Sequence, residues 1–324
     1  WTRLYQPHPY RAYCLRPGAT EIDVGQKINA QGLRGPEIAV AKPTDTIRIV
    51  CVGGSTTYGD RATTNATTYP ALLEGLLNER YAGESHSFKV LNAGTDAYDS
   101  HQVLIYFQTR LLEFAPDIVI IHTGINDSLF VSNTEGFEAD YRHVRKRFPP
   151  PQPFGWEYSP FLSLVFRSYA GDGNPYWKGD LSGFIWNEAV MDAPPRRRIQ
   201  IRALSDRTDS CVRNVRSLVA TARGNGVEPV IMTMTFDPRE WPMAVVLGVI
   251  NARLRDLAES EGVPLIDFAR QFPWSEEVFV DACHLIDAEG GLPRKAKIVF
   301  DFLIEQRLIE EVVSRRGLDA AEAS

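Results

Sequence analysis

Ser55 and His284 are two side chains of this sequence that could together carry out nucleophilic catalysis. Ser55 comes directly after Gly53 and Gly54, which end an apolar run. Glycines permit the sharp turn from a strand into a helix, and a serine there projects its hydroxyl towards a helix N-terminus that favours developing negative charge. Gly-Ser turns are also common in ordinary loops, so this serine alone decides little.

A carboxylate lies three residues before His284, in Asp281-Ala282-Cys283-His284. A serine hydroxyl becomes a strong nucleophile when a base takes its proton, and a hydrogen bond at the other ring nitrogen fixes the tautomer of that base. One short loop could therefore supply both the base and the group that orients it. A lone Asp-x-x-His is, however, more often a structural hydrogen bond.

Two further loops could supply hydrogen-bond donors for an oxyanion. One contains Gly94 and the other Asn126, and each follows a predicted strand. The carboxyl ends of parallel strands open at the same edge of a sheet, so both loops could converge on Ser55. The N–H groups of Ser55 and Gly94 and the Asn126 amide could then hold an oxyanion, whereas ordinary turn chemistry is the alternative for each.

The elements that must position these residues alternate along the chain. Apolar runs predict strands over 47–52, 88–91, 117–122, 229–235 and 263–267, and helical periodicity predicts helices over 69–81, 100–114, 199–223, 243–261 and 293–313. Such alternation is typical of parallel α/β folds. The predicted fold class is therefore α/β, a three-layer α/β/α sandwich around a five-stranded parallel, flavodoxin-like sheet.

Two segments fall outside this alternation. Residues 1–45 are rich in Pro, Gly, Tyr and Arg without a clear period, which predicts an extended arm laid over a domain of residues 46–324. From about 130 to 198 the pattern degrades into a stretch rich in Pro and aromatic residues, which predicts a long insertion. Its aromatic side chains could form a lid, a sugar-binding wall or a small satellite core.

Composition limits the partners of the chain. A formal net charge of −6 provides no field that would attract nucleic acid. No run of about 18 apolar residues occurs, so no transmembrane segment is expected in this chain. The sequence begins at Trp1, so an upstream signal or anchor, and with it an extracytoplasmic location, stays open beside a cytoplasmic one. The oligomeric state is equally open.

The cysteines and the other histidines give no metal-site pattern. The four cysteines form no CxxC pair, which argues against a structural zinc site and a disulfide framework. His8, His86, His101 and His143 lack metal-ligand spacing, and His122 at a strand end either borders a pocket or is structural. No metal and no cofactor are expected.

Taken together, the four motifs resemble the SGNH/GDSL hydrolase superfamily, whose blocks supply Ser, Gly, Asn and His in that order. The resemblance covers residues 47–55, 90–94, 116–127 and 280–285. It implies that Ser55 is the nucleophile and an oxyanion donor, and that Gly94 and Asn126 complete the oxyanion hole. It also implies that His284 is the general base and then the general acid, oriented by Asp281. The serine block reads Gly-Gly-Ser in place of the more usual Gly-Asp-Ser, which leaves the subfamily open.

The resemblance implies a serine esterase or acylhydrolase that cleaves a carboxylic ester through an acyl-enzyme intermediate, without a cofactor. Its substrate would be a small-molecule ester, an O-acetyl or other O-acyl group on a glycan, or a lipid ester. An O-acyltransferase acting on a carbohydrate with the same triad is the alternative. The third hypothesis is a catalytically silent binding module.

Overall fold

A computed structural model describes residues 4–21, 25–132, 137–141, 161, 201–240 and 242–318. The strands are β1 (Tyr5–Pro7), β2 (Tyr13–Leu15), β3 (Thr20–Glu21), β4 (Gln26–Lys27), β5 (Thr46–Gly53), β6 (Ser87–Gly94), β7 (Ile118–His122), β8 (Glu228–Met232) and β9 (Leu265–Ile266). The helices are α1 (Ser55–Tyr58), α2 (Tyr69–Arg80), α3 (Ser100–Thr109), α4 (Ile125–Ser132), α5 (Ile201–Gly224), α6 (Met243–Glu261), α7 (Phe268–Gln271), α8 (Leu292–Glu305) and α9 (Leu308–Arg316).

Five strands form one parallel sheet in the order β6-β5-β7-β8-β9. This confirms the predicted five-stranded parallel sheet. In its register Gly53 at the end of β5 lies opposite Gly94 on one side and His122 on the other. The loops after β5, β6 and β7 therefore begin side by side at one edge of the sheet, as parallel strands require.

Successive residues of the central strands face opposite layers of helices. Ile49 and Cys51 belong to an apolar cluster shared with α2, α8 and α9, whereas Val50 and Val52 belong to a second cluster shared with α3, α5 and α6. All four side chains are fully buried. A strand covered on both faces has no solvent face to make polar, which explains its unbroken apolar sequence and confirms the α/β/α sandwich.

Two predicted helices are interrupted. The predicted helix 100–114 is α3 followed by a 3₁₀ turn at Leu111–Phe114, because Arg110 departs from helical geometry with φ of −140°. The predicted helix 293–313 is divided into α8 and α9 by Arg307, whose φ of 56° is left-handed and cannot continue an α-helix. The last two sheet strands also cover fewer residues than predicted.

The N-terminal segment contributes to the core of the domain. β1 pairs with β2 and β3 with β4, both antiparallel. Leu4, Tyr5, Tyr13 and Leu15 are buried in the same apolar cluster as α3 and α5. The sequence predicts no core element in residues 1–45, because strands of two or three residues are too short to show a period.

The predicted insertion, about 130–198, lies outside the described residues except for 130–132, 137–141 and 161. Among the helices that are described, none is long and apolar enough to span a membrane.

Candidate active site

The turn from β5 into α1 places Ser55 at the carboxyl edge of the sheet. A Cβ at Gly53 would collide with the backbone oxygen of His122, so the two strands can approach closely only with glycine there. A Cβ at Gly54 would lie 2.8 Å from Asn126 Nδ2. The close approach of the two strands therefore requires glycine at position 53, whereas a side chain at position 54 would displace the Asn126 amide. As the first residue of α1, Ser55 has an N–H without an intrahelical acceptor.

Ser55, His284 and Asp281 form a continuous chain of hydrogen bonds. His284 Nε2 lies 2.7 Å from Ser55 Oγ, and His284 Nδ1 lies 2.8 Å from Asp281 Oδ2. A hydroxyl, an imidazole and a carboxylate in this order can transfer the serine proton to the ring while the carboxylate fixes its tautomer.

The loop that carries Asp281 and His284 is held by its own backbone. Asp281 Oδ1 accepts hydrogen bonds from the N–H groups of Cys283 at 3.0 Å and His284 at 2.9 Å. The Val280 N–H donates to the His284 carbonyl, and Phe279 and Leu285 form an isolated antiparallel bridge. The backbone N–H groups of the loop thus hold the Asp281 carboxylate in position for its contact with the His284 ring.

The electrostatics of this pair favour the ionised forms. Burial disfavours the charged imidazole, but the hydrogen bonds that the ring donates to Asp281 and Cys283 outweigh it and raise the pKa of His284 to about 10. Burial likewise opposes the carboxylate, but the His284 ring and the Cys283 N–H hold the pKa of Asp281 well below its usual range. A proton taken from Ser55 would therefore be held strongly by His284.

Gly94 and Asn126 lie beside the turn that carries Ser55, where each already has a hydrogen-bond acceptor. Asn126 Nδ2 donates to the Tyr98 carbonyl at 2.9 Å, and the Gly94 N–H donates to Asn92 Oδ1 at 3.1 Å. An amide nitrogen carries two hydrogens, so Asn126 keeps a second donor, whereas the Gly94 N–H would have to leave Asn92 to bind an oxyanion.

Asn126 is supported by a buried polar network that is not predicted from the sequence. The neighbouring Asp127 is fully buried and accepts hydrogen bonds from the Ser100 N–H at 3.0 Å and the Tyr141 hydroxyl at 2.9 Å. Burial is the largest of the effects that raise the pKa of Asp127 to about 6. The contacts join residues distant in sequence, so no local pattern could reveal them.

A small cavity of about 10 Å³ lies beside Ser55 and His284. Its wall includes His122, Phe268, Leu285 and Lys295, among other residues. His122 is buried and borders this cavity. Lys295 is not among the site residues predicted from the sequence. Its spacing from Leu292 and Ala296 nevertheless places a lysine on the apolar face of α8, and this pattern could have identified it.

One group of side chains among the described residues has the distances of metal ligands. Ligand atoms of Asp281, Cys283 and His284 lie within 4.8 Å of one another. The Asp281 carboxylate already accepts hydrogen bonds from the His284 ring, from two backbone N–H groups and from Arg61 at 3.3 Å, so its lone pairs are engaged by protein donors. We assign no metal to these residues.

Comparisons with known proteins give a family and several structural neighbours. The model of the GDSL-like Lipase/Acylhydrolase family matches residues 51–288. The chain is similar in structure to TesA (16% identical, 79% of this chain and 97% of that chain covered, TM-score 0.48). It is also similar to a catalytic mutant of an acetylxylan esterase from Geobacillus stearothermophilus (14% identical, 80% and 93% covered, TM-score 0.46). A third neighbour is a GDSL-like lipase from Bacteroides thetaiotaomicron (14% identical, 84% and 92% covered, TM-score 0.45). No curated protein matches the chain in sequence.

Proposed function

This chain belongs to the GDSL-like lipase/acylhydrolase family and is an ester-hydrolysing enzyme, and we propose that Ser55, His284 and Asp281 are its catalytic triad. The observation that carries the proposal is the distance of 2.7 Å between Ser55 Oγ and His284 Nε2, across 229 residues of sequence. The Asp281 carboxylate at His284 Nδ1 supports the same assignment. In this arrangement Ser55 is the nucleophile, His284 is the base and Asp281 is the carboxylate that orients the base.

The reaction proceeds by acyl transfer to the serine. Ser55 Oγ attacks the ester carbonyl carbon while His284 Nε2 takes its proton, which gives a tetrahedral oxyanion. The C–O bond to the alcohol breaks, and the alcohol leaves with the proton from His284. Water then attacks the acyl-enzyme, again with His284 as base, and the acid is released while Ser55 recovers its proton.

The proposed oxyanion hole consists of the Ser55 N–H, the Asn126 amide and the Gly94 N–H. Ser55 contributes an N–H at the start of α1, and Asn126 is held against Gly54 at the same edge of the sheet. Such donors act by meeting the charge that develops in the transition state. Gly94 joins them when its N–H turns from Asn92 to the substrate oxygen.

The proposed substrate is a carboxylic ester, with O-acyl groups on a glycan or a lipid ester as the candidate classes. The aromatic residues of the predicted insertion, whose rings suit both acyl chains and sugar faces, support these classes. No cofactor takes part in the proposed reaction. Hydrolysis of p-nitrophenyl acetate, octanoate and palmitate by the full chain gives the preferred acyl length.

The test of the triad is the same assay on Ser55→Ala and His284→Ala, with Ser85→Ala as a control for an exposed serine. Either triad variant should lose about 10³-fold or more in kcat while Ser85→Ala retains the wild-type rate. Hydrolysis that survives Ser55→Ala would place the reaction elsewhere and refute the assignment.

A carbohydrate O-acyltransferase would use the same residues with a sugar hydroxyl in place of water. Product analysis with and without an added oligosaccharide acceptor separates the two reactions. We expect free acid as the main product in both samples. Acyl-sugar that forms faster than free acid would replace hydrolysis by transfer as the function.

A further inference from the structure

Lys295 is a buried lysine that the proposed reaction does not use. It lies on α8 with 1% of its surface exposed. Leu292, Ala296 and Val299 on the same helix are also buried in the apolar cluster on that side of the sheet. A lysine among such neighbours is rare, since its charge must leave water.

The Lys295 amino group joins helix α1 to the end of strand β7. Its Nζ donates to the Thr56 carbonyl at 2.9 Å and lies 3.1 Å from His122 Nδ1. It also lies 4.2 Å from the centre of the Tyr69 ring. Thr56 directly follows Ser55, so a single amine holds the first turn of α1 against β7.

Burial and the neighbouring lysine both favour the neutral form of the His122 ring. Burial, followed by the Lys295 charge, holds the pKa of His122 well below its usual range. A neutral imidazole can accept at Nδ1, and an ammonium group can only donate. Lysine thus offers the several donors that the Thr56 carbonyl and His122 need together.

This arrangement is costly for stability. Among the ion pairs of the described residues none includes Lys295, and burial lowers its pKa to about 7. An apolar side chain of similar volume would fill such a site without the desolvation cost of a charge. A buried lysine without a carboxylate partner therefore suggests a task other than stability.

We propose that Lys295 is a positioning residue for Ser55, holding the first turn of α1 against β7 through the Thr56 carbonyl and His122. The inference rests on the proposed role of Ser55. Displacement of this turn moves both the Ser55 hydroxyl and the Ser55 N–H, and small misplacements of reacting groups cost large factors in rate.

The experiment measures how fast a fluorophosphonate probe labels Ser55 in the full chain, with the labelled peptide identified by mass spectrometry. The variants are Lys295→Met, which removes charge and donors, and Lys295→Arg, which keeps both. Val299→Ala is the matched control, because it removes a buried contact of the same helix away from α1. Thermal unfolding of each variant is recorded in parallel.

Lys295→Met should label Ser55 about tenfold or more slowly than wild type, with part of the rate restored in Lys295→Arg. Val299→Ala should lower the melting temperature and keep the wild-type labelling rate. Wild-type labelling in Lys295→Met, or equal slowing in Val299→Ala, would show a merely structural lysine and overturn the inference. If Lys295→Met does not fold, Lys295→Gln is judged by the same two criteria. Absence of Ser55 labelling in the wild type would instead refute the proposed function.

Discussion

At the scale of single residues, the charge of His284 decides whether it can act as the proposed base for Ser55. The base must be neutral before attack and cationic after it. Hydrogen bonds that the ring donates to Asp281 and Cys283 stabilise the cation against the opposing effect of burial. In the proposed mechanism the Asp281 carboxylate thus stabilises the transition state and also makes the resting His284 harder to deprotonate.

We predict that activity rises with pH through the titration of His284, with a midpoint above the ordinary histidine value of 6.5. Asp281→Asn should move this midpoint of kcat/KM to lower pH and reduce the plateau by roughly 10³- to 10⁴-fold, because the ring loses its orienting partner. The check is a pH profile of ester hydrolysis, with Asp301→Asn on the exposed side of α8 as control. An unchanged midpoint in Asp281→Asn would contradict the assigned pair.

The Asp281–His284 pair should also make folding stability depend on pH. The raised His284 pKa adds stability that is complete below 6.5 and is lost as pH rises towards 10. The lowered Asp281 pKa adds stability that is present above 3.8 and is lost as pH falls through the folded value. The melting temperature of wild type should therefore exceed that of His284→Gln most between pH 3.8 and 6.5. A difference in melting temperature that stayed constant from pH 3.8 to pH 10 would argue against these pKa shifts of His284 and Asp281.

Replacement of Asn126 tests the oxyanion hole. Asn126→Ala should lower kcat by roughly 10²- to 10³-fold with little change in KM, because the donor acts on charge that develops in the transition state. The variant also loses the hydrogen bond to the Tyr98 carbonyl, so its melting temperature is measured beside its kinetics. A change confined to KM would mean that Asn126 binds ground-state substrate instead.

At the scale of elements, the N-terminal segment is joined to the proposed active site by buried contacts. Arg34 is buried and donates to the carbonyls of Tyr58, Gly59 and Ala62, at and beyond the end of α1. The Tyr5 hydroxyl donates to the Asp96 carboxylate in the loop after Gly94. The N-terminal segment therefore contacts both the end of α1 and the loop after β6.

We predict that Arg34→Met lowers the free energy of unfolding by about 2 kcal/mol or more, because several buried carbonyls lose their donors. Arg34→Lys should recover only part of this loss, since an ammonium group cannot reproduce the planar fork of donors. Urea denaturation of both variants and wild type gives the comparison. Equal stability of Arg34→Lys and wild type would show that charge alone is sufficient.

At the scale of the whole molecule, one central sheet separates two apolar layers. β7 contributes to both, since Ile120 lies in the cluster with α2 and α8 while Ile121 lies in the cluster with α3 and α6. Each residue is at most 1% exposed. The site at the end of this sheet thus depends on the packing of both layers.

Ile120→Ala and Ile121→Ala form a matched pair for the two layers. Each should lower the free energy of unfolding by about 2 to 5 kcal/mol, as truncation of a buried isoleucine leaves a cavity. Urea denaturation followed by circular dichroism and by tryptophan fluorescence measures both. A variant that lost stability in one probe only would show that the layers unfold separately.

The sequence by itself determined the fold class and the family. Apolar runs and helical periods place the strands and helices, since burial on both faces of a parallel sheet leaves a local mark in the sequence. The motifs around Ser55 and His284 stand at strand ends for the same reason, and the match over residues 51–288 agrees with the family they suggested. These properties depend on neighbours in sequence.

Only the tertiary structure decided which groups meet. The 2.7 Å contact between Ser55 and His284 joins positions 229 residues apart, and Lys295 meets Thr56 across 239. The N-terminal strands and the break at Arg307 were equally invisible, the first because they are short and the second because an arginine in left-handed geometry carries no local signal. Long-range contacts depend on the packing of the whole chain. A local period in the sequence indicates that a residue is buried, but it does not indicate which residues it packs against.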